Sequence, residues 1–218
     1  MNKLWVFGDS FSQEFDKQTD LYSRNGYLKF KGYTPKNYSN LLSEHLNYEL
    51  LNHASEGLSN YQIFENFCRV VQQINGNDVV IFGWSEITRY RLVVDTTHFH
   101  TVGTWYIGRE DLPIDGFGVS RKSLEEHLFN RLDNLKCYYD EVHQWINLIN
   151  HTLKLKNVKV IHWSPQEQVG FNVPQYHDME TIKMETDGLI DDSHYSEQGH
   201  HQLYTILKDE LKKIKNFI

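Results

Sequence analysis

Short apolar runs alternate with amphipathic segments along this chain, and this order constrains its fold more than any other feature. The runs lie at residues 3–7, 48–52, 79–83 and 158–163 and predict strands. The run at 79–83 is continuously apolar, so it predicts a central strand that is buried on both faces of a parallel sheet. Amphipathic segments, which predict helices, lie at residues 35–46, 59–74, 123–153 and 196–218. This order predicts an α/β fold, a three-layer α/β/α sandwich with a mostly parallel sheet of four to five strands.

Helix-capping residues mark two of the predicted helix starts. Ser59 precedes the second amphipathic segment, and Ser123-x-x-Glu126 has the spacing of a capping box. Between the third strand and that box, glycine, proline, histidine and aromatic residues break the alternation. We therefore expect residues 1–218 to form a single domain with an aromatic-rich insertion at about 95–120.

The composition excludes several classes of protein. The net charge is −7 and no block of lysine and arginine occurs, which argues against nucleic-acid binding. No apolar stretch approaches the roughly 20 residues of a membrane-spanning helix, and no signal-peptide pattern is present, so a cytoplasmic protein is expected. Cys68 and Cys137 lack metal-type spacing and are expected to be buried free thiols. His98 and His100 resemble two metal ligands without a completing set, so neither a metal nor another cofactor is expected.

The first strand ends in Gly8-Asp9-Ser10. Open α/β folds bind ligands beyond the carboxyl ends of their strands, which is where this serine hydroxyl is expected to lie. The glycine would permit a tight backbone path, and the N–H of Ser10 could face a developing oxyanion. The tripeptide is also an ordinary turn sequence, so it indicates catalysis only together with a base.

A candidate base lies just before the last predicted helix, in Asp191-Asp192-Ser193-His194. An imidazole can take the proton of a serine hydroxyl, and a carboxylate on its other nitrogen fixes its tautomer and stabilises its cation. Asp191 and His194 can hydrogen-bond each other while both face Ser10. Asp192 competes for the carboxylate role, and one of the three residues before His194 could instead cap the helix.

These motifs resemble the sequence blocks of the SGNH (GDSL) hydrolase family. Gly8-Asp9-Ser10 is similar to the first block, which implies that Ser10 is the nucleophile. Asn52, followed five residues later by Gly57, is similar to the second block and implies that the N–H of Gly57 is an oxyanion donor. Asp191-x-x-His194 is similar to the last block. The resemblance spans residues 8–200 and implies a flavodoxin-like fold, a triad of Ser10, His194 and Asp191, and no cofactor.

The third block departs from the family pattern. The family has Gly-x-Asn-Asp, whereas this chain has Gly83-Trp84-Ser85-Glu86, so Ser85 replaces the asparagine that donates to the oxyanion. A serine hydroxyl donates one hydrogen bond but is shorter than a carboxamide. The resemblance therefore implies an oxyanion hole of Ser10, Gly57 and Ser85, for which Arg89 or a side chain of the insertion could substitute at the third position.

The implied activity is that of a serine esterase acting on acyl or acetyl esters of carbohydrates, lipids or small molecules, with carbohydrate deacetylation favoured. Trp84, Arg89, Trp105 and Tyr106 are expected to contact the substrate, since aromatic rings suit sugar and acyl faces. The alternative is a binding or structural module that keeps the fold but has weak or no catalysis, which Ser85 favours. A Gly-Trp-Ser block also resembles SGNH-like proteins of bacteriophages, so this alternative includes a virion-associated role.

Overall fold

A buried parallel sheet forms the centre of the protein. The structure is a computed structural model that describes residues 1–17, 27–29, 31–93, 99–112, 114, 118–165, 176–178 and 194–214. The strands are β1 (Lys3–Gly8), β2 (Glu49–Asn52), β3 (Val79–Gly83), β4 (Tyr90–Val93), β5 (Phe99–Val102), β6 (Lys159–Ser164) and β7 (Tyr176–Asp178). Five of them form one sheet in the order β2-β1-β3-β6-β7, with every neighbouring pair parallel. Strands β4 and β5 form a separate antiparallel pair.

Helices connect these strands. The α-helices are α1 (Tyr38–Leu46), α2 (Asn60–Val70), α3 (Arg121–Asp133), α4 (Leu135–Leu155) and α5 (Glu197–Lys213). Short 3-10 turns lie at Phe15–Lys17, Val71–Gln73 and Thr104–Tyr106.

Strand β1 shows how the sheet separates two layers of helices. Its side chains point alternately to opposite faces, so Trp5 and Phe7 pack with α2 and α4, whereas Leu4 and Val6 pack with α1 and α5. Burial of each such side chain contributes about 1.5–3 kcal/mol. The predicted three-layer α/β/α sandwich with a mostly parallel sheet is confirmed.

The predicted helix at 123–153 is wrong in two respects. The helix begins at Arg121, and its cap is Ser120, whose hydroxyl accepts a hydrogen bond from the N–H of Ser123. The helix is also divided at Asn134, whose backbone leaves the helical region and whose side chain donates to the carbonyl of Asn130. The apolar spacing continues across this break, which is why the pattern indicated one helix.

Other predicted boundaries agree closely with the structure. Ser59 is the cap of α2, and its N–H donates to the side chain of Gln62. Helix α1 begins at Tyr38, three residues after the predicted start at residue 35, because the side chain of Asn37 caps it by accepting from the N–H groups of Ser39 and Asn40.

Of the hairpin strands, β5 lies within the segment predicted as an insertion, at about 95–120, and β4 lies just before it. Residues 94–98, 113 and 115–117, and with them His98, lie outside the described residues. In the described part, Val102 packs with Leu124 and Leu128 of α3 in a small apolar cluster of its own. The hairpin is therefore held by α3 and, through the ion pair of Arg91 with Glu65, by α2, and it forms no part of the central sheet.

The described residues hold no helix that is long and apolar enough to cross a membrane. No group of three or more metal-ligating side chains comes together in that same part of the chain. Cys68 and Cys137 are free thiols, but both are exposed, so their predicted burial is wrong.

Candidate active site

The carboxyl end of β1 turns sharply into a short helical loop. The N–H groups of Ser12 and Gln13 both donate to the carbonyl of Asp9 at 3.0 Å. The N–H of Phe11 donates to Oδ1 of the same residue at 3.1 Å. This turn directs the backbone away from the sheet immediately after Gly8 and presents Ser10 at the edge.

Two glycines make room for this turn. Gly8 and Gly83 lie opposite each other in β1 and β3, and a Cβ on either one would collide with the hydroxyl of Ser12. Neither glycine has a positive φ. Gly8 therefore permits the tight path of this turn because it lacks a side chain, and not because of a positive φ.

Ser12 anchors the turn to two other elements. Its hydroxyl accepts a hydrogen bond from the Tyr38 hydroxyl at 2.9 Å. Its carbonyl accepts from the side-chain amides of Asn37 at 3.0 Å and Asn52 at 2.8 Å. Burial raises the pKa of Tyr38 well above its ordinary value, so this phenol remains a donor. Asn52, whose motif resembles a catalytic block, thus holds the Ser10 turn in place.

Ser10 and His194 come together at this edge. The Nε2 atom of His194 lies 2.8 Å from Oγ of Ser10. Ser10 is 8% exposed, and the His194 ring packs against Phe11 with ring centroids 5.0 Å apart. Ser196 caps α5 two residues later, so the start of this helix fixes the backbone near the imidazole. The pair has the distance and partial burial that proton transfer from a serine requires.

Asp191 and Asp192 lie outside the described residues. The carboxylate partner of His194 therefore stays a prediction, as does the choice between these two residues.

The loop after β2 runs beside the Ser10 turn. The N–H of Ser55 donates to the carbonyl of Gly8 at 3.2 Å, and the N–H of Glu56 donates to the side chain of Gln13 at 2.8 Å. Gly57 has φ of +74°, in the left-handed region that favours glycine. These contacts hold Gly57 in the segment next to Ser10.

Ser85 faces Asp9. It is fully buried, and its hydroxyl donates to Oδ2 of Asp9 at 2.8 Å. Its backbone N–H and carbonyl both bond the side chain of Asn60, at 2.7 Å and 3.0 Å. A hydroxyl has one hydrogen to donate, and in this structure it is directed to Asp9, so the oxyanion role of Ser85 stays a prediction.

Arg89 completes the surroundings of Asp9. Its Nη1 lies 3.1 Å from Oδ2 of Asp9 and 3.5 Å from the carbonyl of Leu58. The side chains are 16% and 2% exposed, so this is a largely buried ion pair. Arg89 thereby links the turn that carries Ser10 to the loop that carries Gly57.

The other residues expected to contact a substrate lie in different surroundings from Arg89. Trp84 is fully buried, and its indole N–H donates to Nδ1 of His162 at 3.1 Å, so its ring lies in the core and its substrate contact stays a prediction. Tyr106 is half-buried against the cluster of the insertion, and burial raises its pKa. Trp105 lies in a 3-10 turn, but its side chain is outside the description. Arg89, in contrast, contacts the turn that carries Ser10.

His200 is a buried imidazole below the site. Its ring stacks on Tyr38 and meets Tyr195 edge to face. Burial, reinforced by the charges of His194 and His201, lowers the pKa of His200 to about 3. His200 is therefore neutral near pH 7, and it lies among aromatic rings.

The sequence matches no protein-family model, and no curated protein matches it. Among solved structures, an acetyl xylan esterase is similar at 15% identity and a TM-score of 0.35, over 97% of this chain and 73% of that one. A Bacillus subtilis protein is similar at 12% identity and a TM-score of 0.40, over 95% of this chain and 42% of that one, so this chain spans less than half its length. A Desulfitobacterium hafniense protein grouped with the G-D-S-L lipolytic proteins is similar at 12% identity and a TM-score of 0.35, over 96% of this chain and 99% of that one. Similarity this low carries no argument about the chemistry of this chain, which rests on its own geometry.

Proposed function

We propose that this protein is a serine esterase of the SGNH (GDSL) type, which cleaves acyl or acetyl esters through an acyl-enzyme on Ser10. The observation that carries the proposal is the 2.8 Å contact between Ser10 Oγ and His194 Nε2 at the carboxyl edge of a parallel sheet. This edge is where α/β folds bind ligands. The order of the motifs from Gly8 to His194 supports the family.

In the proposed reaction, His194 acts first as a base and then as an acid. Nε2 takes the proton from Ser10 Oγ as the oxygen attacks the ester carbonyl carbon, and the same proton is given to the leaving alkoxide when the C–O bond breaks. Water then attacks the acyl group on Ser10 and gives its proton to His194, which returns it to the serine oxygen as the acid product leaves. Asp191 is proposed to hold the other ring nitrogen, on the strength of the motif spacing alone.

The backbone N–H groups of Ser10 and Gly57 are the proposed oxyanion donors. Ser85 is left out of the proposal, because its hydroxyl hydrogen is directed to Asp9. Loss of one donor typically lowers kcat about 100- to 1,000-fold. We therefore expect an esterase that is slower than one with three donors.

The hydrogen bond between Ser85 and Asp9 favours a second candidate, a binding module that keeps the fold with weak or no catalysis. Ser85 Oγ bonds to Asp9 at 2.8 Å, where the family pattern has an oxyanion donor. In that case Ser10 and His194 would form a polar contact at the floor of a binding surface. The two candidates predict different results in a test of turnover.

The test is hydrolysis of a panel of acetyl and short-chain aryl esters by the wild-type protein and by Ser10→Ala. A fluorophosphonate probe, which labels activated serines, is applied in parallel and the adduct is located by mass spectrometry. The esterase proposal expects turnover and a single adduct on Ser10, both lost in Ser10→Ala. Equal rates for the two proteins, with no adduct on Ser10, would leave the binding module as the better account.

A further inference from the structure

A pocket that Arg89 helps to line lies beside the proposed active site. It has a volume of about 340 Å³ and is formed by the start of α2, strand β4, the end of α3 and the first turns of α4. This volume lies within the range of small-molecule sites. Its walls carry three arginines, Arg89, Arg91 and Arg131, and one carboxylate, Glu141. The walls thus carry more cationic than anionic side chains, although Arg89 and Arg91 also pair with carboxylates behind the wall.

Arg131 is the residue in this pocket that most needs an anion. It is half-buried, and burial lowers the pKa of its guanidinium. Its Nε and Nη2 donate to the carbonyls of Thr88 and Ile87. Among the described residues, no carboxylate comes within ion-pairing distance of it. The charge of Glu141, on the same pocket wall, attracts this guanidinium without forming an ion pair with it, so an anionic ligand would offset the remaining cost of desolvating the charge.

The guanidinium of Arg131 is held rigidly. It lies 3.6 Å above the ring centroid of Tyr138 and 4.8 Å from that of Tyr90. Together with the two carbonyl contacts, these rings fix its plane in advance, and a fixed guanidinium plane favours two-pronged binding of carboxylate or phosphate.

Arg91 adds a second cation to the pocket. Its Nη1 lies 3.3 Å from Oε2 of Glu65, whose other oxygen lies 3.1 Å from Nη2 of Arg69. One carboxylate is therefore shared by two guanidinium groups. Arg91 lies over the ring of Tyr61, which contacts Trp145 edge to face. These rings give the pocket flat apolar walls beside its cations.

Arg89 joins this pocket to the proposed active site. It lines the pocket and also forms the ion pair with Asp9, the residue before Ser10. The pocket and the turn that carries Ser10 therefore share Arg89 as a common wall.

We propose that this pocket binds an anionic substituent, carboxylate or phosphate, on a ring-shaped part of the ester substrate, most simply an acidic sugar. This proposal extends the proposed function, and it depends on that function only in treating the bound molecule as a substrate. Binding of the anion itself depends on the pocket alone. Arg131 and Arg91 hold the oxyanion, and the faces of Tyr61 and Trp145 contact the ring.

The test separates binding from turnover. Binding of glucuronate, glucose 6-phosphate and glucose to the full chain carrying Ser10→Ala is measured by calorimetry. We expect one or both anions to bind at least about tenfold more tightly than glucose, since a charge-assisted hydrogen bond is stronger than a neutral one. Tighter binding of glucuronate assigns the site to a carboxylate, and tighter binding of glucose 6-phosphate assigns it to a phosphate.

Matched arginine variants locate the site. Arg91→Gln and Arg131→Gln should each weaken binding of the anion about tenfold, whereas Arg69→Gln, which removes the same charge from the same Glu65 pair outside the pocket, should not. Because Arg131 also supports two carbonyls, Arg91→Gln decides the outcome if Arg131→Gln does not fold. Equal binding of glucose and both anions, no binding of any probe, or equal loss in Arg69→Gln and Arg91→Gln would overturn the proposal.

A turnover measurement then distinguishes the two proposals. The wild-type protein is assayed with acetylated glucuronate and acetylated glucose, and the ratio of their kcat/KM values should fall about tenfold in Arg91→Gln. Anion binding without hydrolysis of either ester would count against the esterase and leave the pocket standing. Hydrolysis with a ratio that Arg91→Gln leaves unchanged would count against the pocket as a substrate site.

Discussion

Ser10 and Ser85 occupy equivalent positions on neighbouring strands, yet their surroundings differ completely. Strands β1 and β3 pair in parallel with Gly8 opposite Gly83, and each continues as Gly-x-Ser. Ser10 reaches His194 at 2.8 Å, whereas Ser85 is fully buried and donates to Asp9. The comparison teaches that a position after a strand brings a serine to the edge of the sheet, and that its hydrogen-bond partner decides what chemistry it can do.

The residue before each serine explains the difference. After β1 this residue is Asp9, whose carboxylate accepts from Phe11, Ser85 and Arg89 and so forms the turn that exposes Ser10 to His194. After β3 it is Trp84, whose ring stacks on Phe82 in the core and holds Ser85 inside. The difference between Asp9 and Trp84 therefore explains why two similar Gly-x-Ser motifs place their serines in different surroundings.

The largest expected effect is on the Ser10 side, through its base. His194→Ala should lower kcat by roughly 10,000-fold or more, because the proton of Ser10 then has no acceptor. His201→Ala is the matched control, since it removes an exposed imidazole from α5, the helix that follows His194. Steady-state kinetics on the best ester of the panel measures both. Similar rates for the two variants would mean that the contact of Ser10 with His194 has no catalytic role.

The next prediction concerns Asp9, whose carboxylate forms the Ser10 turn and accepts the hydrogen bond of Ser85. Asp9→Asn should destabilise the protein by about 3–5 kcal/mol, because it leaves the charge of Arg89 largely buried without its partner. Urea unfolding measures the change. Asp111→Asn is the control, since it breaks an exposed pair with Arg109 and is expected to leave the transition unchanged. An equally small change in Asp9→Asn would show that Asp9 does not hold the turn.

A smaller effect tests the space that the paired glycines provide. Gly8→Ala should cost about 1–3 kcal/mol, because its Cβ collides with Ser12. The double variant Gly8→Ala with Ser12→Gly should recover part of this loss, since the colliding side chain is then gone. A double-mutant cycle by urea unfolding measures the coupling. Additive losses would mean that Gly8 is needed for another reason.

The sequence predicted the sheet better than it predicted the surroundings of these serines. A continuous apolar run such as β3 is read directly, and the Ser59 cap depends on residues three apart. The ion pair of Asp9 and Arg89 and the hydrogen bond of Asp9 and Ser85 join residues about 80 positions apart, and no local pattern encodes them. Ser10 and His194 were found across a longer separation because both belong to recognisable motifs, whereas Ser12 and Arg131 belong to none.

Low pH is expected to destabilise the protein through His200, which packs under the Ser10 turn. His200 stacks on Tyr38, which bonds Ser12. Burial lowers the pKa of His200 from 6.5 to about 3, so between these values the unfolded chain binds a proton that the folded protein does not. Stability therefore falls as the pH is lowered through this window, by about 1.4 kcal/mol per pH unit from this group. The free energy of unfolding of His200→Gln should depend less on pH by this amount between about pH 6 and 4, while His201→Gln keeps the wild-type slope.

The smallest expected effect is on the Ser85 side, and it tests the comparison most directly. If the hydroxyl of Ser85 donates only to Asp9, Ser85→Ala should cost about 1 kcal/mol of stability, and kcat should change by less than about tenfold. A fall of about 100- to 1,000-fold in kcat without loss of folding would instead mark Ser85 as an oxyanion donor. Ser85→Asn separates the two cases further. If the third oxyanion position can accept a donor from residue 85, the longer amide would reach it and raise kcat. Since Ser85 is fully buried against Asp9 and Asn60, we expect that larger side chain to destabilise the protein and bring no gain in kcat.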